Sequence, residues 1–571
     1  MKRPLFMLMA LLAIPLAACT PSAPSGSPST GSGLTAGTQP SRTLVAAVRN
    51  ETDTLAIRPL LGGQLAAFQL TRGLFNAELT YTTPNGSQAP YLAEALPQLS
   101  TDTWRVSPDG QMETTWKLKP GLVWQDGTPL SPQDFVFAWQ VYSTPTFGGT
   151  ASRSMQSIQD VASSDDRTFV VRWKQPFPNA NDLSGNDGLP PLPRHLLEHP
   201  FQQLEPTAFA GTTFWTREYV GLGPYRVEQW EPGAFYQAAA FDHYLLGRPK
   251  IERIKVLFIT DVNTALANLM ANQVQLATDN SISLQQSVNL KRDWAQQGAG
   301  AVLFSQLTWQ FTVFQLRPEL VSPQALLDVR VRRALGHAVN KQELSDSVYG
   351  GELATSDFFI SPLSKWGPAV ESAVQKYPYD LRRSEEILNG AGLTRGPDGM
   401  FTGPDGRFKT ELKSLDSPDW LAESEIMANN WRKAGLDVSE SVISAAASVD
   451  PGVQATFPGM LTTITSHGES SLFTFTRAQI PSAQTGWRGG NRGAWANDEY
   501  DRLYLAFNRT LDPAERDAQV ARMAQIFTDE SPTMSLLFLT VPWAVVSALK
   551  GVTPVVPEGR IPMNVQDWEL R

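Results

Sequence analysis

Gly121-Leu122-Val123-Trp124-Gln125-Asp126-Gly127-Thr128-Pro129-Leu130-Ser131-Pro132-Gln133-Asp134-Phe135-Val136 changes from strand to helix chemistry within a few residues. Upstream, Trp104 to Trp124 places apolar residues at strand spacing around the turn elements Pro108-Asp109-Gly110 and Pro120-Gly121, which predicts a β-hairpin. Asp126-Gly127 then turns the chain. Ser131 suits an N-cap, Pro132 the first helical position and Asp134 the third, where a carboxylate reaches back to the cap amide, so a helix opens into Phe135-Val136-Phe137-Ala138-Trp139.

The same logic recurs outward from this block. Asn340-Lys341-Gln342-Glu343 and Asp512-Pro513-Ala514-Glu515 are capping sequences ahead of two further helices. Tyr379 to Leu393 reads as a capped amphipathic helix ended by glycines. Ile251–Ile259 alternates like a strand and leads into a helix at Asp261. The fold class is therefore mixed α/β. No fixed-period repeat and no second low-complexity linker interrupts the body, which reads as one interlocked unit.

The chain has 571 residues, 42% hydrophobic and 18% charged, enough for a large core, which excludes wholesale disorder. A net charge of -9 offers no general attraction to a phosphate backbone and argues against a nucleic-acid partner. Aromatic residues make up 10% of the chain while charge is low, so some aromatic surface is expected to be in use, although most of it is expected in the core.

Cysteine occurs once, at Cys19, which excludes an internal disulfide and a multi-cysteine metal site. Lys2 and Arg3 precede an apolar stretch from Leu5 to Leu16, and Leu16-Ala17-Ala18-Cys19 resembles a bacterial lipobox. Residues 1–18 are thus expected to be a lipoprotein signal peptide, Cys19 the lipidation site and 19–41 a flexible Ser/Thr/Gly/Pro linker. The expected location is the cell envelope or periplasm, with the lipid on Cys19 as membrane anchor. An ordinary secretory signal cut near Ala18 is the alternative, and it also implies export.

Taken in order, several blocks resemble the peptide/nickel-type extracellular solute-binding proteins of ABC importers. They are Thr71-Arg72-Gly73-Leu74-Phe75 with Pro90-Tyr91-Leu92-Ala93-Glu94, then Ser107-Pro108-Asp109-Gly110, and the opening stretch through Asp134-Phe135-Val136. Val220-Gly221-Leu222-Gly223-Pro224-Tyr225, Asp328-Val329-Arg330-Val331-Arg332-Arg333-Ala334-Leu335 and Asn497-Asp498-Glu499-Tyr500-Asp501-Arg502-Leu503 follow. The resemblance implies a two-lobed periplasmic-binding-protein clamp of the large cluster C type with an extra inserted domain. By analogy lobe I takes 42–75, 220–306 and 535–571, the inserted domain 76–219, and lobe II 307–534. It further implies a monomer that hands a peptide-like solute to permease and ATPase subunits, without a cofactor or a metal of its own. An oligosaccharide or a chelate is the alternative ligand.

Peptide-binding members commonly place an Asp where this chain has Met460 to Glu469, and no Asp stands there. His467 and Glu469 are the candidates to replace it, Glu469 by pairing with an amine. Trp309, Trp420, Trp487 and Trp495 lie in stretches that by analogy approach the cleft, where flat rings cover apolar side chains or sugar faces. The glycine-rich run Thr485 to Gly493 adds Arg488, suited to a carboxylate, and Asn491. For each of these the competing reading is a core or loop residue. Phe241-Asp242-His243-Tyr244 and Val274-Gln275 also depart from the family pattern.

His195-Leu196-Leu197-Glu198-His199 matches an inverted zinc-peptidase pattern, but Pro193 and Pro200 leave it barely two turns of helix. A zinc-dependent secreted hydrolase is the enzymatic alternative on that motif, and a signalling receptor a third. No phosphate loop and no nucleophile elbow occurs, so the expected protein is not an enzyme.

Overall fold

The computed structural model describes residues 43–61, 69–83, 87–147, 153–185, 188–553 and 564–571. The leader, Cys19 and the linker lie outside the described residues. Ten strands make the principal sheet. In chain order they are β1 (Thr43–Val48), β2 (Tyr225–Glu231), β3 (Phe235–Ala240), β4 (Arg253–Phe258) and β5 (Leu276–Ala277), followed by β6 (Gly300–Phe314), β7 (Lys409–Leu415), β8 (Asp437–Ile443), β9 (Met460–Ser466) and β10 (Thr533–Val546). Across the sheet they run β8, β7, β9, β6, β10, β5, β1, β4, β3, β2.

Two of these strands belong to both halves. β6 and β10 pair antiparallel from Gly300↔Val546 to Gln306↔Thr540; the register then shifts before Thr308↔Leu539, and again between Gln310↔Leu537 and Phe311↔Ser535, ending at Val313↔Thr533. The first shift breaks the ladder where the apolar cores also part. One core takes buried residues from Leu44 to Val302 and from Val541 to Trp568; the other two lie between Trp309 and Phe538. The molecule is a two-lobed α/β clamp with an inserted domain, and β6 and β10 cross between the lobes.

The inserted domain contains a four-stranded antiparallel sheet whose hairpin pairs Trp104–Val106 with Met112–Lys117. The helix Pro132–Tyr142 forms the predicted capping box between Ser131 and Asp134 and stacks Phe135 on Phe169 at 4.6 Å between ring centroids. The opening motif is a joint. The Gln125 amide donates to the Gly223 carbonyl at 3.0 Å and its carbonyl oxygen accepts from the Gly221 N–H at 2.9 Å. A Cβ at Gly221 would sit 2.0 Å from the Phe75 carbonyl oxygen, so only glycine permits that approach.

Two of the other blocks are joints as well. Arg332 is buried and donates to the carbonyls of Leu326, Leu327, Glu530 and Ser531, and burial pulls its guanidinium down to about 10. Asn497 caps the helix Asp498–Phe507 and donates to Glu530 at 2.6 Å. Asn340, Asp380 and Asp512 cap the helices Lys341–Tyr349, Leu381–Gly390 and Pro513–Glu530.

Two details differ from the sequence reading. The strand expected over Ile251–Ile259 begins at Arg253. The helix around the histidine motif runs Arg194–Gln203, past Pro200, rather than stopping there. Pro200 loses only its own donor, while its carbonyl still accepts from the Leu204 N–H at 2.9 Å.

Candidate functional site

Strand directions locate the site. β1 is parallel to β4 and β5, β5 is antiparallel to β10, and β10 is antiparallel to β6, so β1, β4, β5 and β6 all run toward the second lobe. β9 is antiparallel to β6 and parallel to β7, which is parallel to β8, so these three run back toward the first lobe. The carboxyl ends of both parallel sets therefore face the crossing. In open α/β sheets ligands lie outside the carboxyl ends of parallel strands, where neighbouring strands part.

In the second lobe they part visibly. β9 pairs with β7 only at Met460↔Leu412 and Leu461↔Lys413, while β7 continues beside β8 to Leu415↔Ile443. From Thr462 to Ser466, β9 keeps β6 on one side and has no strand partner on the other among the described residues. A fork opens there, bounded by an open strand edge. Such an edge accepts an extended chain through its main-chain groups.

The end of β9 carries two expected candidates. His467 is buried, and its Nε2 lies 3.2 Å from the Gln306 carbonyl, so Nε2 carries the proton and Nδ1 is a bare acceptor. Nδ1 is buried without a partner, as are Ser305 Oγ and Thr540 Oγ1 at the crossing. Burial holds the imidazole below its ordinary pKa and favours the neutral ring.

Glu469 is already engaged. It pairs with Arg516 at 3.3 Å and with Lys365 at 3.6 Å, and it accepts from the Asn179 amide at 2.8 Å. Asn179 also accepts from Arg516 at 3.1 Å and stands beside Ala180 of the first core, while Glu469 and Arg516 lie in the stretch that supplies the other two, so this cluster bridges the cores. Arg516 lies over the rings of Phe507 at 4.2 Å and Trp366 at 4.9 Å. Neither Arg516 nor Asn179 was legible beforehand, because no local pattern links positions so far apart.

The other candidates are not brought together with these. Trp309 is fully buried, stacks on Phe311 at 3.8 Å and donates to Ser356 at 2.8 Å, inside the second lobe's core. Trp495 is buried and donates to Glu530 at 2.6 Å. Asn491 is buried and donates to the carbonyls of Phe475, Thr476 and Trp495, which ties its own loop. Trp487 is half-buried with Arg317 5.9 Å from its ring, and Arg488 is exposed on that loop. Trp420 is half-buried in the first turn of the helix Pro418–Lys433, just beyond the carboxyl end of β7.

The histidine motif is spent elsewhere. His195 bonds Asp126 at 2.7 Å, Glu198 pairs with Arg194 at 3.0 Å, and no group of three metal-ligating side chains occurs among the described residues. No helix among the described residues is long and apolar enough to cross a membrane.

A two-lobed clamp with a fork at the crossing has the shape to enclose a small solute. The chain belongs to the bacterial extracellular solute-binding proteins, family 5 Middle, whose pattern matches residues 94–479. It is similar to the oligopeptide-binding protein AppA of Bacillus subtilis, 25% identical over 368 residues, which are 63% of this chain and 62% of AppA's length. The chain thus spans less than two thirds of that relative in the match. The crystal structure of AppA with a nonapeptide superposes at a TM-score of 0.66 with 19% identity, covering 93% of this chain and 100% of the other. NikZ of Campylobacter jejuni in complex with Ni(L-His) superposes at 0.70 with 21% identity and the same coverage.

Proposed function

We propose that this chain captures a peptide-like solute between its lobes and delivers it to an ABC permease with its ATPase. The observation that carries this is the open edge of β9 from Thr462 to Ser466, at the crossing, where an extended solute adds as a further strand. A solute touching both lobes favours the closed clamp by its differential affinity for that state. The relative named as oligopeptide-binding supports the same solute class.

Capture needs no bond to be made or broken, and no catalytic step is assigned. The protein works as an exported monomer held to a membrane through lipid on Cys19. A Cys19→Ala variant is expected to leave the membrane fraction for the soluble fraction, and retention on the membrane would contradict the anchor.

A metal chelate is the second reading, favoured by the buried bare Nδ1 of His467 and by the neighbour bound to Ni(L-His). Thermal-shift screening of di- to hexapeptides, oligosaccharides and nickel–histidine chelates separates the readings. A rise in melting temperature with peptides alone is expected. A rise with chelate or sugar and none with peptides would overturn the first reading.

A further inference from the structure

The glycine-rich run at Thr485 to Gly493 has no role in the capture described so far, yet its backbone is tightly fixed. A Cβ at Gly493 would meet the Phe314 carbonyl oxygen at 2.3 Å, and one at Gly490 would meet the Thr474 side chain at 2.6 Å. Gly489 takes a φ of 146°, against the Gln479 carbonyl. Arg317 donates to the Arg492 carbonyl at 2.8 Å and to Pro481 at 2.8 Å, while Asn491 closes the loop from inside. The glycines let this loop lie against the end of β6, and what it presents is the side chain of Arg492.

That side chain reaches the fork. The Arg492 guanidinium donates to the hydroxyl of Thr463, which lies on the unpartnered stretch of β9 just past the last pair with β7. No carboxylate stands within ion-pair distance of it among the described residues, and burial alone lowers its pKa. The fully buried arginines of this lobe differ. Arg317 donates to four oxygens, Arg332 to four carbonyls, and Arg516 faces Glu469. A guanidinium has five donors in a planar fork matched to a carboxylate, and a half-buried one with a single protein acceptor is poised for an anion.

We infer that Arg492 is a specificity residue that binds a carboxylate of the captured solute, an assignment that rests on peptide capture at the β9 edge. Thr463 and Ser466 are three strand positions apart, roughly 10 Å at about 3.3 Å per residue. An acid group held at Arg492 and a chain running toward His467 thus describe a short peptide of about three residues. The carboxylate is either the peptide's carboxy terminus or an Asp or Glu side chain.

The test is calorimetric titration of the mature protein with a tripeptide free acid, its carboxy-terminal amide, and an amide bearing an internal Glu. Wild type is expected to bind the acid at least about tenfold more tightly than the plain amide. If the Glu-bearing amide regains that affinity, the side-chain carboxylate serves; if only the free acid binds tightly, the terminus does. In Arg492→Gln the acid-over-amide ratio should fall to within about twofold while amide binding is retained, and in Arg492→Lys it should be intermediate. Equal wild-type affinity for the acid, the plain amide and the Glu-bearing amide overturns the inference, as does a preference for a carboxylate that survives Arg492→Gln. Should that variant fail to fold, the wild-type ratio and the lysine variant still decide. A protein that binds no peptide at all fails the capture proposal itself, and the inference with it.

Discussion

Two regions of the second lobe use arginine in opposite ways. Around Arg317 and Arg332 every buried guanidinium is surrounded by protein oxygens, and those side chains bind loops and helix ends into one body. At the fork between β7 and β9, Arg492 has one hydroxyl. The first arrangement stabilises, because its bonds satisfy buried and part-buried oxygens that would otherwise lose a partner. The second leaves donor capacity at the place where a strand edge is also open, and unspent donors beside unspent backbone are the features on which the proposed binding surface rests.

Removing a saturated arginine should give the largest effect. Arg332→Met removes the guanidinium's bonds to four carbonyls, two of them fully buried, and should cost about 3–5 kcal/mol in urea unfolding, with peptide affinity per folded molecule unchanged. A loss below about 1 kcal/mol would erase the contrast.

Glu423 sharpens it by pH. It is fully buried and accepts from Tyr349 at 2.7 Å and Gln310 at 2.6 Å, and burial pushes its carboxyl up to about 7. The folded state thus holds a proton that the unfolded chain, near 4.5, releases earlier. Its contribution is fully present below about 4.5 and is lost as pH rises through about 7. Glu423→Gln should therefore be more stable than wild type by about 1–2 kcal/mol at pH 8.5 and close to it at pH 5, read from melting curves at the two pH values. A variant less stable at both would show that the carboxylate itself is needed.

Between the cores, Asn179→Ala removes the bonds of Asn179 to Glu469 and Arg516. It should shift the ligand-free population toward the open form by about 1 kcal/mol, seen as a larger radius of gyration in solution scattering. An unchanged radius would make the contact incidental. The smallest stability effect belongs to Arg492→Gln, within about 0.5 kcal/mol of wild type, since that side chain satisfies one hydroxyl. A loss as large as that of Arg332→Met would put Arg492 in the saturated class.

Much of the scaffold was legible in the sequence because its signals are local. Ser131, Asn340, Asp380, Asn497 and Asp512 announce their helices within a single turn, and the structure uses each as a cap. The site was legible only in part. His467 and Glu469 follow directly from the end of β9, but the fork depends on which strand lies beside β9 and for how long, a pairing between residues about fifty apart. Trp309 and Trp495 were misleading for a physical reason, since an aromatic ring that lines a cleft and one that fills a core have the same sequence signature. Arg488 drew attention as the charge on the glycine loop, while the neighbour that the packed glycines aim at the fork is Arg492.

Strand addition at β9 is the central claim, and its backbone is what an N-methyl group blocks. Calorimetry should compare a tripeptide with the same tripeptide N-methylated at its central amide. The expected result is a measurable affinity for the first and a loss of at least about tenfold for the second. Equal affinity for the two, or heat from a nickel–histidine chelate or an oligosaccharide with none from either peptide, would contradict capture through the open strand edge.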